Sequence, residues 1–415
     1  MHDMKDSGVE WIGEIPAHWS PIRFRFIAKI TTGNQDTQNA DPDGEYPFYV
    51  RSPIVERCNN YTFDGKGILM AGDGAGAGRV FHLVDGKYAV HQRVYRFYDF
   101  KYMDPVLLKY YLENLFATVM DYGSAKTTVP SVRLPMIQDF VVCVPPKKEQ
   151  DNIVAVLNEK CAQVGSLISN VQAQIEKLKA YKQSLITEVV TKGLDPTVPM
   201  KDSGFEWIGE IPAHWEITRK LAFVTTEGIS YGIVKLFDPD DVNGVKVLRC
   251  SDVLEGFIKP DNIRTVTREV SNEYARTILA GGEVLVNVRG SLGGCAVVSE
   301  EMAGYNIARE VAKITLNSRM CNRYVMYYLL SRCFVEYRTS HLSGSVYVGL
   351  NIELLSSCPL PNPELTEQKA IADYLDKKCS QIDHLIAIKQ AKSEKLEQYK
   401  QSLIYEYVTG KREVM

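Results

Sequence analysis

The side chains best suited to recognising nucleic acid stand in a polar stretch near the start of the chain. The sequence TTGNQDTQNAD at 31–41 contains Ala40 as its one apolar residue, so it is predicted to form a loop. Asn and Gln can each make two hydrogen bonds to adenine, and Arg can do the same with guanine. The stretch therefore indicates a loop that recognises base edges, and an unordered surface loop is the alternative.

Arginines interleaved with aromatic residues point the same way, because bases stack on aromatic rings and arginines bind phosphates and bases. The segment YRFY at 95–98 is one example. Each such arginine can equally be a solvated surface residue, so no single one decides the question. Other arginines of this pattern are Arg249, Arg264, Arg268 and Arg289.

A glycine-rich segment, GDGAGAG at 72–78, follows the apolar run ILMA. A strand followed by such a pattern can hold a nucleotide cofactor, for example S-adenosylmethionine, when a helix comes next. Here RVFHLV follows and alternates like a strand, so a glycine-rich hairpin is predicted instead. The sequence has no G-x-x-x-x-G-K-[ST] motif, no H-E-x-x-H spacing and no convincing pair of nuclease carboxylates. We therefore predict no catalytic site, no cofactor and no metal.

The composition is that of a globular protein with more than one domain. The 415 residues are 45% hydrophobic and 24% charged, with a formal net charge of −3. A protein that holds DNA alone usually carries a basic excess, so this chain is predicted either to bind DNA with help or not to bind it. Nine cysteines without a C-x-x-C pair indicate reduced thiols in the cytoplasm. The polar N-terminus and the lack of long apolar stretches predict neither a signal peptide nor a membrane span.

Two pairs of matching segments show that the chain is duplicated. KDSGVEWIGEIPAHW at 5–19 returns at 201–215 with one difference, Val9 against Phe205. Residues 149–191 likewise match 367–409, and both contain YKQSLI. The change in offset between these pairs indicates an insertion of about 20 residues early in the second middle segment. The constant parts are expected to meet the same surroundings twice, and the variable middles to meet different ones.

The matching segments near 149–191 and 367–409 are predicted to be long helices of roughly 42 residues, about 60 Å each. Apolar residues recur at alternating steps of four and three, which is typical of a coiled coil. Chain tracing favours an antiparallel pair with pseudo-twofold symmetry, which would bring the first repeated segment near the end of the second helix. Two separate amphipathic helices are the alternative. The predicted seam residues are Ile153, Leu157, Val164, Ile168, Val171, Ile175, Leu178, Leu185, Ile371, Leu375, Ile382, Ile386, Leu396 and Leu403.

The two variable middles are predicted to be mixed α/β domains, which makes the whole chain α+β. Runs such as RVFHLV, YAVHQRVYRF, KVLRC and GEVLVNV are typical of strands. DPVLLKYYLENLFATVM and RYVMYYLLSRCFVEYR each predict one buried helix.

The repeated EWIGEIPAHW, the variable domain and the helix that opens with PP-x-x-EQ and ends in YKQSLI together resemble the specificity subunit of type I restriction–modification enzymes. The likeness covers nearly the whole chain, and its specific motifs lie at 5–19, 145–191, 201–215 and 361–409. It implies an N-terminal conserved segment at 1–19, target-recognition domains at 20–145 and 216–361, conserved helices at 146–192 and 362–415, and a linker with the repeated segment at 193–215.

The resemblance further implies a non-catalytic subunit that binds double-stranded DNA, with each variable domain recognising one half of a bipartite, asymmetric target. The helix pair would space the domains and dock two methylation subunits, and restriction subunits would join the full complex. The predicted DNA contacts are loop and hairpin groups whose side chains can bond to bases or phosphates. They are Asn34, Gln35, Gln38, Arg51, Arg79, Lys126 and Thr127 in the first domain and Ser230, Tyr231, Arg249, Arg289, Ser291, Arg309 and Ser343 in the second.

The sequence is also compatible with two other functions. The nearly neutral charge favours a coiled-coil protein–protein scaffold that never touches DNA. The GDGAGAG segment leaves a stand-alone methyltransferase as a third hypothesis.

Overall fold

The computed structural model divides the chain into two compact units. The first contains Met1–Gln172 together with Ala391–Met415, and the second contains Ala173–Gln390. Within the described residues, no helix has the length and apolar character needed to cross a membrane. The described residues are 3–123, 130–234, 244–342 and 349–414.

The first unit is a mixed α/β domain, as its sequence predicts. Its described strands are β1 (Met4–Asp6), β2 (Glu14–Pro16), β3 (Ser20–Arg23), β4 (Lys29–Thr32), β5 (Tyr46–Tyr49), β6 (Val55–Cys58), β7 (Phe63–Asp64), β8 (Gly67–Ala71), β9 (Phe81–Val84), β10 (Lys87–Val90), β11 (Val94–Tyr98) and β12 (Val141–Val144). Its helices are α1 (Pro105–Gly123), α2 (Leu134–Gln138) and α3 (Lys147–Lys192), the last of which continues into the second unit.

Two four-stranded sheets form the centre of the first unit, in the orders β6-β5-β10-β7 and β4-β11-β8-β9. β10 pairs with β5 in parallel, and the other pairs in these sheets are antiparallel. Helix α1 packs on β8 and β9. Its apolar side chains and those of the sheet meet in a core around Phe24, Phe97, Tyr111 and Phe116, all of which are fully buried.

The second unit has the same class of fold. Its described strands are β13 (Met200–Asp202), β14 (Glu210–Pro212), β15 (Glu216–Thr218), β16 (Ser230–Tyr231), β17 (Val245–Leu248), β18 (Arg264–Val266), β19 (Val284–Asn287), β20 (Cys295–Val297), β21 (Asn306–Ile307), β22 (Val311–Ile314) and β23 (Leu360–Asn362). Its helices are α4 (Arg268–Glu273), α5 (Asn322–Leu330), α6 (Arg332–Leu342), α7 (Ile352–Ser356) and α8 (Leu365–Val408), and α8 ends in the first unit.

The two larger sheets of the second unit have the orders β16-β22-β19-β20 and β18-β17-β21. Helix α5 packs on β19 and β20, as α1 packs on β8 and β9 in the first unit. The core includes Tyr324, Tyr328, Phe334 and Leu355, each with at most 2% of its surface exposed.

The prediction of one continuous helix over RYVMYYLLSRCFVEYR is wrong. The segment forms α5 and α6, which are separated at Ser331, where the backbone is extended (ψ 160°). Ser331 Oγ donates to the carbonyl oxygen of Tyr328 at 2.6 Å, and the N–H of Arg332 donates to Thr187 Oγ1 of α3 at 2.9 Å. These bonds satisfy groups that a helix break would otherwise leave unpaired.

The two long helices begin directly after the proline segments, as predicted, and contain 46 residues in α3 and 44 in α8. Glu149 and Glu367 stand in their first turns, where the helix dipole favours a negative charge. Among the predicted seam residues, Ile168, Leu178, Ile386 and Leu396 are half-buried and the others are buried.

The two copies of the repeated segment form the same hairpin, β1–β2 in the first unit and β13–β14 in the second. In the first unit this segment packs against the end of α8, as the chain tracing predicts. Tyr405 Oη donates to the carbonyl oxygen of Trp11 at 3.3 Å. Gly410 lies against Pro16 and Trp19 so closely that a Cβ on it would touch both rings.

Candidate nucleic-acid interface

A tight glycine turn joins β8 to β9 in the first unit and forms the hairpin that the sequence predicts. A Cβ on Gly76 would lie 2.5 Å from the carbonyl oxygen of Arg51, and one on Gly72 would lie 2.8 Å from that of Arg93. Glycine therefore allows the turn to approach both arginine backbones. A strand follows the turn, so no helix N-terminus is present to hold a cofactor phosphate.

Asp73, in this turn, connects the two arginines. Arg51 Nη1 donates to Asp73 Oδ1 at 3.0 Å, and Arg93 Nη1 donates to Asp73 Oδ2 at 2.9 Å. The aspartate side chain is 14% exposed, whereas the Arg51 and Arg93 side chains are 46% and 63% exposed. A largely covered carboxylate thus holds two solvent-facing guanidinium groups.

The polar segment at 31–41 lies beside the cluster of Asp73 and its two arginines. Thr37 lines a cleft of about 620 Å³ together with Arg51 and Asp73. The N–H of Gln92 donates to the carbonyl oxygen of Gln35 at 2.8 Å, which attaches the segment to the turn that precedes Arg93. The fold therefore brings together side chains that the sequence separates by up to 56 positions, as in the 2.7 Å hydrogen bond from Gln92 Nε2 to Asp36 Oδ2.

His91 fixes the backbone beside Arg93. Its Nδ1 accepts a hydrogen bond from the N–H of Arg93 at 3.0 Å, and its ring is 4% exposed. Burial lowers the pKa of His91, and the nearby charge of Arg51 lowers it further. Folding therefore favours the neutral ring, whose Nδ1 lone pair accepts the bond from the Arg93 N–H.

The other predicted contacts of the first domain are on the surface. Asn34 is exposed, and its Oδ1 accepts from Thr62 Oγ1 at 3.1 Å. Gln38 and Arg79 are also exposed. The predicted loop is partly regular structure, because 31–32 belong to β4 and 37–39 form a single 3-10 turn.

Arg96, one of the interleaved arginines, is a core residue rather than a surface contact. Its side chain is 7% exposed, and its Nε donates to Tyr88 Oη at 2.7 Å. The guanidinium lies 4.6 Å from the ring centre of Phe63 and 4.5 Å from that of Tyr98. The alternation of arginine and aromatic residues at 95–98 therefore reflects cation–π packing inside the unit.

In the second unit, the Arg249 side chain makes hydrogen bonds within the protein. Its Nε and Nη2 donate to the two carboxylate oxygens of Asp252, both at 3.0 Å, and Nη2 also donates to the carbonyl oxygen of Asn262 at 3.3 Å. The Asp252 side chain is 4% exposed. This two-bonded pair fixes the loop after β17, and it occupies the edge with which an arginine would bind guanine.

Arg289 and Ser291 are exposed in the turn that follows β19. The buried amide of Asn287 holds this turn, because its Nδ2 donates to the carbonyl oxygen of Ser291 at 3.2 Å. Arg309 is half exposed, and its Nε lies 3.6 Å from the carboxylate of Glu310.

Of the remaining predicted residues, Ser230 donates its hydroxyl to the carbonyl oxygen of Gly228 at 3.1 Å, and the neighbouring Tyr231 is 47% exposed. Lys126, Thr127 and Ser343 lie outside the described residues. Within the part of the chain that is described, no three His, Cys, Asp or Glu side chains form a group that could hold a metal ion.

The two units place opposite charges at equivalent positions. The N–H of Gly72 donates to the carbonyl oxygen of Arg93 at 2.9 Å, and in the second unit the N–H of Val288 donates to that of Glu310 at 2.8 Å. By this register, Arg289 takes the place of Asp73. An aspartate and an arginine in the first unit are thus replaced by an arginine and a glutamate.

Asp73 and Arg93 are functional candidates that the sequence alone does not identify. An acidic residue inside a run of glycines was an available signal, because a carboxylate in a tight turn is placed to bind a neighbouring side chain. Its partner, 20 residues away, could not be identified without the strand register.

The family model of the type I restriction modification DNA specificity domain matches residues 16–177 and 216–398 of this chain. The chain belongs to this family, and it is a DNA specificity subunit of a type I restriction–modification system.

Individual relatives carry the same description. The chain is 26% identical to the type I restriction enzyme MjaVIII specificity subunit of Methanocaldococcus jannaschii, over 96% of this chain and 93% of the relative. It is 23% identical to the EcoDI specificity subunit of Escherichia coli, over 86% and 81% of the two chains. A solved structure concerned with complex assembly and conformational transition of the type I R-M system has the same fold, with a TM-score of 0.67, 18% identity and coverage of 96% and 99%. None of these relatives supports the scaffold hypothesis.

Proposed function

We propose that residues 20–145 and 216–361 each recognise one half of a bipartite, asymmetric DNA target. The observation that carries this proposal is the exchange of charge between equivalent turns, Asp73 and Arg93 in one unit against Arg289 and Glu310 in the other. Base pairs differ in their pattern of donors and acceptors. Two copies of one framework with unlike surface groups are therefore suited to unlike base sequences.

We further infer that α3 and α8 pair in opposite directions. Within the second unit, Lys182 Nζ lies 2.7 Å from Asp383, and Lys389 Nζ donates to Gln174 Oε1 at 2.5 Å. Residue numbers fall along α3 as they rise along α8, which supports antiparallel pairing. In the first unit, the start of α3 and the end of α8 contribute to one core. The pseudo-twofold relation of the units stays a prediction.

We also propose that this helix pair docks two methylation subunits and that restriction subunits join the full complex. The chain itself would be non-catalytic, with methylation and cleavage supplied by these partners. The net charge of −3 supports a need for partners, because phosphate neutralisation dominates non-specific DNA affinity. A subunit that binds chromosomal DNA must share its compartment, so we expect the protein to act in the cytoplasm.

Domain exchange tests the proposal. The full chain, with residues 20–145 replaced by the corresponding domain of a relative, is assembled with the methylation subunit, and the methylated sequences are mapped. One half of the target should change and the other half should stay as it was. Exchange of 216–361 is the matched control and should change only the other half. A change in both halves, or in neither, from either exchange would contradict the proposal.

A further inference from the structure

We propose that Arg51, Asp73 and Arg93 form a guanine-recognition site for the half-target bound by residues 20–145. In this site the two arginines contact the base, and Asp73 is a positioning residue that holds them. The inference rests on the proposed function and specifies the base and the residues that bind it.

The hydrogen bonds of the cluster leave the right donors available. Asp73 uses only Nη1 of Arg51 and Nη1 of Arg93. Among the described residues, Nε and Nη2 of these two arginines have no hydrogen-bond partner. The N–H groups of Nε and Nη2 point in parallel from one edge of a guanidinium, and such an edge matches O6 and N7 of guanine.

Asp73 preorganises the guanidinium groups of Arg51 and Arg93 for binding. Two guanidinium groups without it would repel one another and would move freely on long side chains. The shared carboxylate offsets part of their charge and restricts both, so less conformational entropy is lost when DNA binds. The hydrogen bond from the Arg93 N–H to His91 Nδ1 fixes the backbone from the other side.

The cleft beside the cluster offers a group for the opposite base. Glu56 lines this cleft together with Arg51 and Asp73. Its Oε2 is buried and has no hydrogen-bond partner within the described residues. A buried acceptor without a donor is unfavourable, and the N4 amino group of cytosine is a donor that carboxylates accept. Because Oε2 is covered, the Glu56 carboxylate has to rotate into the cleft before N4 of cytosine can donate to it. In that position a G·C base pair provides both the acceptors that the arginines need and the donor that Glu56 lacks.

The same site cannot form in the second unit. Arg289 stands in place of Asp73 and Glu310 in place of Arg93. Among the described residues, Glu310 pairs with Arg309 and no carboxylate joins two arginines at that turn. The guanine contact of this kind belongs to one half of the target only.

The test uses the full chain with the methylation subunit and measures methylation rates on targets with each base substituted in turn. Asp73→Asn turns an amide N–H towards one arginine, and Arg51→Lys and Arg93→Lys keep the charge but lose the two-donor edge. Each variant should lower the preference for one guanine by about tenfold or more, in the half-target assigned to 20–145 by domain exchange. Recognition of the other half should be unchanged.

Asp99→Asn is the control, since Asp99 pairs with exposed Lys29 and does not line the cleft. Equal loss of methylation on every sequence, with guanine preference kept in both lysine variants, would mean phosphate contacts and would overturn the inference. Unchanged recognition in those two variants would also overturn it, whether or not Asp73→Asn folds. If the unaltered chain directs no bipartite methylation, the proposed function itself fails, and that outcome is distinct from the others.

Discussion

Trp19 donates its indole N–H to the carboxylate of Glu149 at 3.1 Å. The ring is 1% exposed, and His18 Nε2 lies 2.9 Å from the other oxygen of the same carboxylate. The repeated segment is thereby attached to the first turn of α3. In the second unit Glu367 occupies the matching position, but Nε1 of the buried Trp215 has no hydrogen-bond partner among the described residues.

Glu149→Ala is expected to destabilise the protein more than Glu367→Ala. Both substitutions remove a contact with a histidine, but only the first leaves a previously bonded, buried indole N–H unpaired, which costs about 1–3 kcal/mol. Hydrogen exchange of peptides from each unit, measured across a urea series, gives the loss of stability for each variant. Equal losses would show that the bond to Trp19 contributes little.

Gly410→Ala is expected to weaken the first unit. Gly410 has a φ of +71°, and a Cβ there would overlap Pro16 and lie 3.1 Å from Trp19. Gly13→Ala is the matched control, because Gly13 has a φ of +68° and open space around it. Gly13→Ala should lower the free energy of unfolding by about 1–2 kcal/mol, the cost of a positive φ for alanine. Gly410→Ala should lower it further because of the overlap. Thermal unfolding of the two variants compares them, and a smaller loss for Gly410→Ala would rule out the steric cause.

The first unit should lose stability as the pH falls below about 6.5, the ordinary pKa of histidine. The lowered pKa of His91 means that the unfolded chain takes up this proton at a higher pH than the folded unit does. Stability is therefore full above the unfolded pKa and declines as the pH falls towards the folded one. His91→Asn keeps an acceptor for the Arg93 N–H without titrating. Its unfolding free energy should depend less on pH between 5 and 6.5, roughly the range in which histidine titrates, and an unaltered dependence would assign the effect to other groups.

Arg96→Lys should lower stability without changing the DNA sequence recognised. Lysine keeps the charge but loses the flat contacts with Phe63 and Tyr98 and the bond from Nε to Tyr88. A buried interaction of this kind contributes about 2 kcal/mol. Arg79→Lys, at an exposed position, should cost less than about 0.5 kcal/mol. Urea unfolding measures the stability of both variants, and methylation mapping identifies the DNA sequence recognised. A changed half-target in Arg96→Lys would show that Arg96 contributes to DNA recognition.

The long helices and the repeated segments could be predicted because their signals are local. An apolar seam at heptad spacing, prolines before each helix and near-identical copies of one segment depend little on distant parts of the chain. The glycine hairpin was predictable for the same reason, since an alternating strand followed it directly.

The site itself could not be predicted, because strand register decides it. Asp73 meets Arg93 only through the pairing of β8 with β11, and Arg51 reaches it from a third segment. The role of Arg96 could not be predicted either. Alternating arginine and aromatic residues are typical of a DNA-binding surface, but they also occur where a buried guanidinium packs between aromatic rings. The break at Ser331 depends on Thr187 of α3, 145 positions from its partner Arg332.

The first unit closes its core with Leu403, Ile404, Tyr407 and Val408 from the last turns of α8. The second unit, by contrast, is one uninterrupted stretch of chain. A ribosome therefore delivers all of the second unit before it delivers the final pieces of the first. The part of the protein that is synthesised earliest therefore cannot complete its core until the end of α8 has been made, and until then the nascent chain carries an unfinished apolar surface.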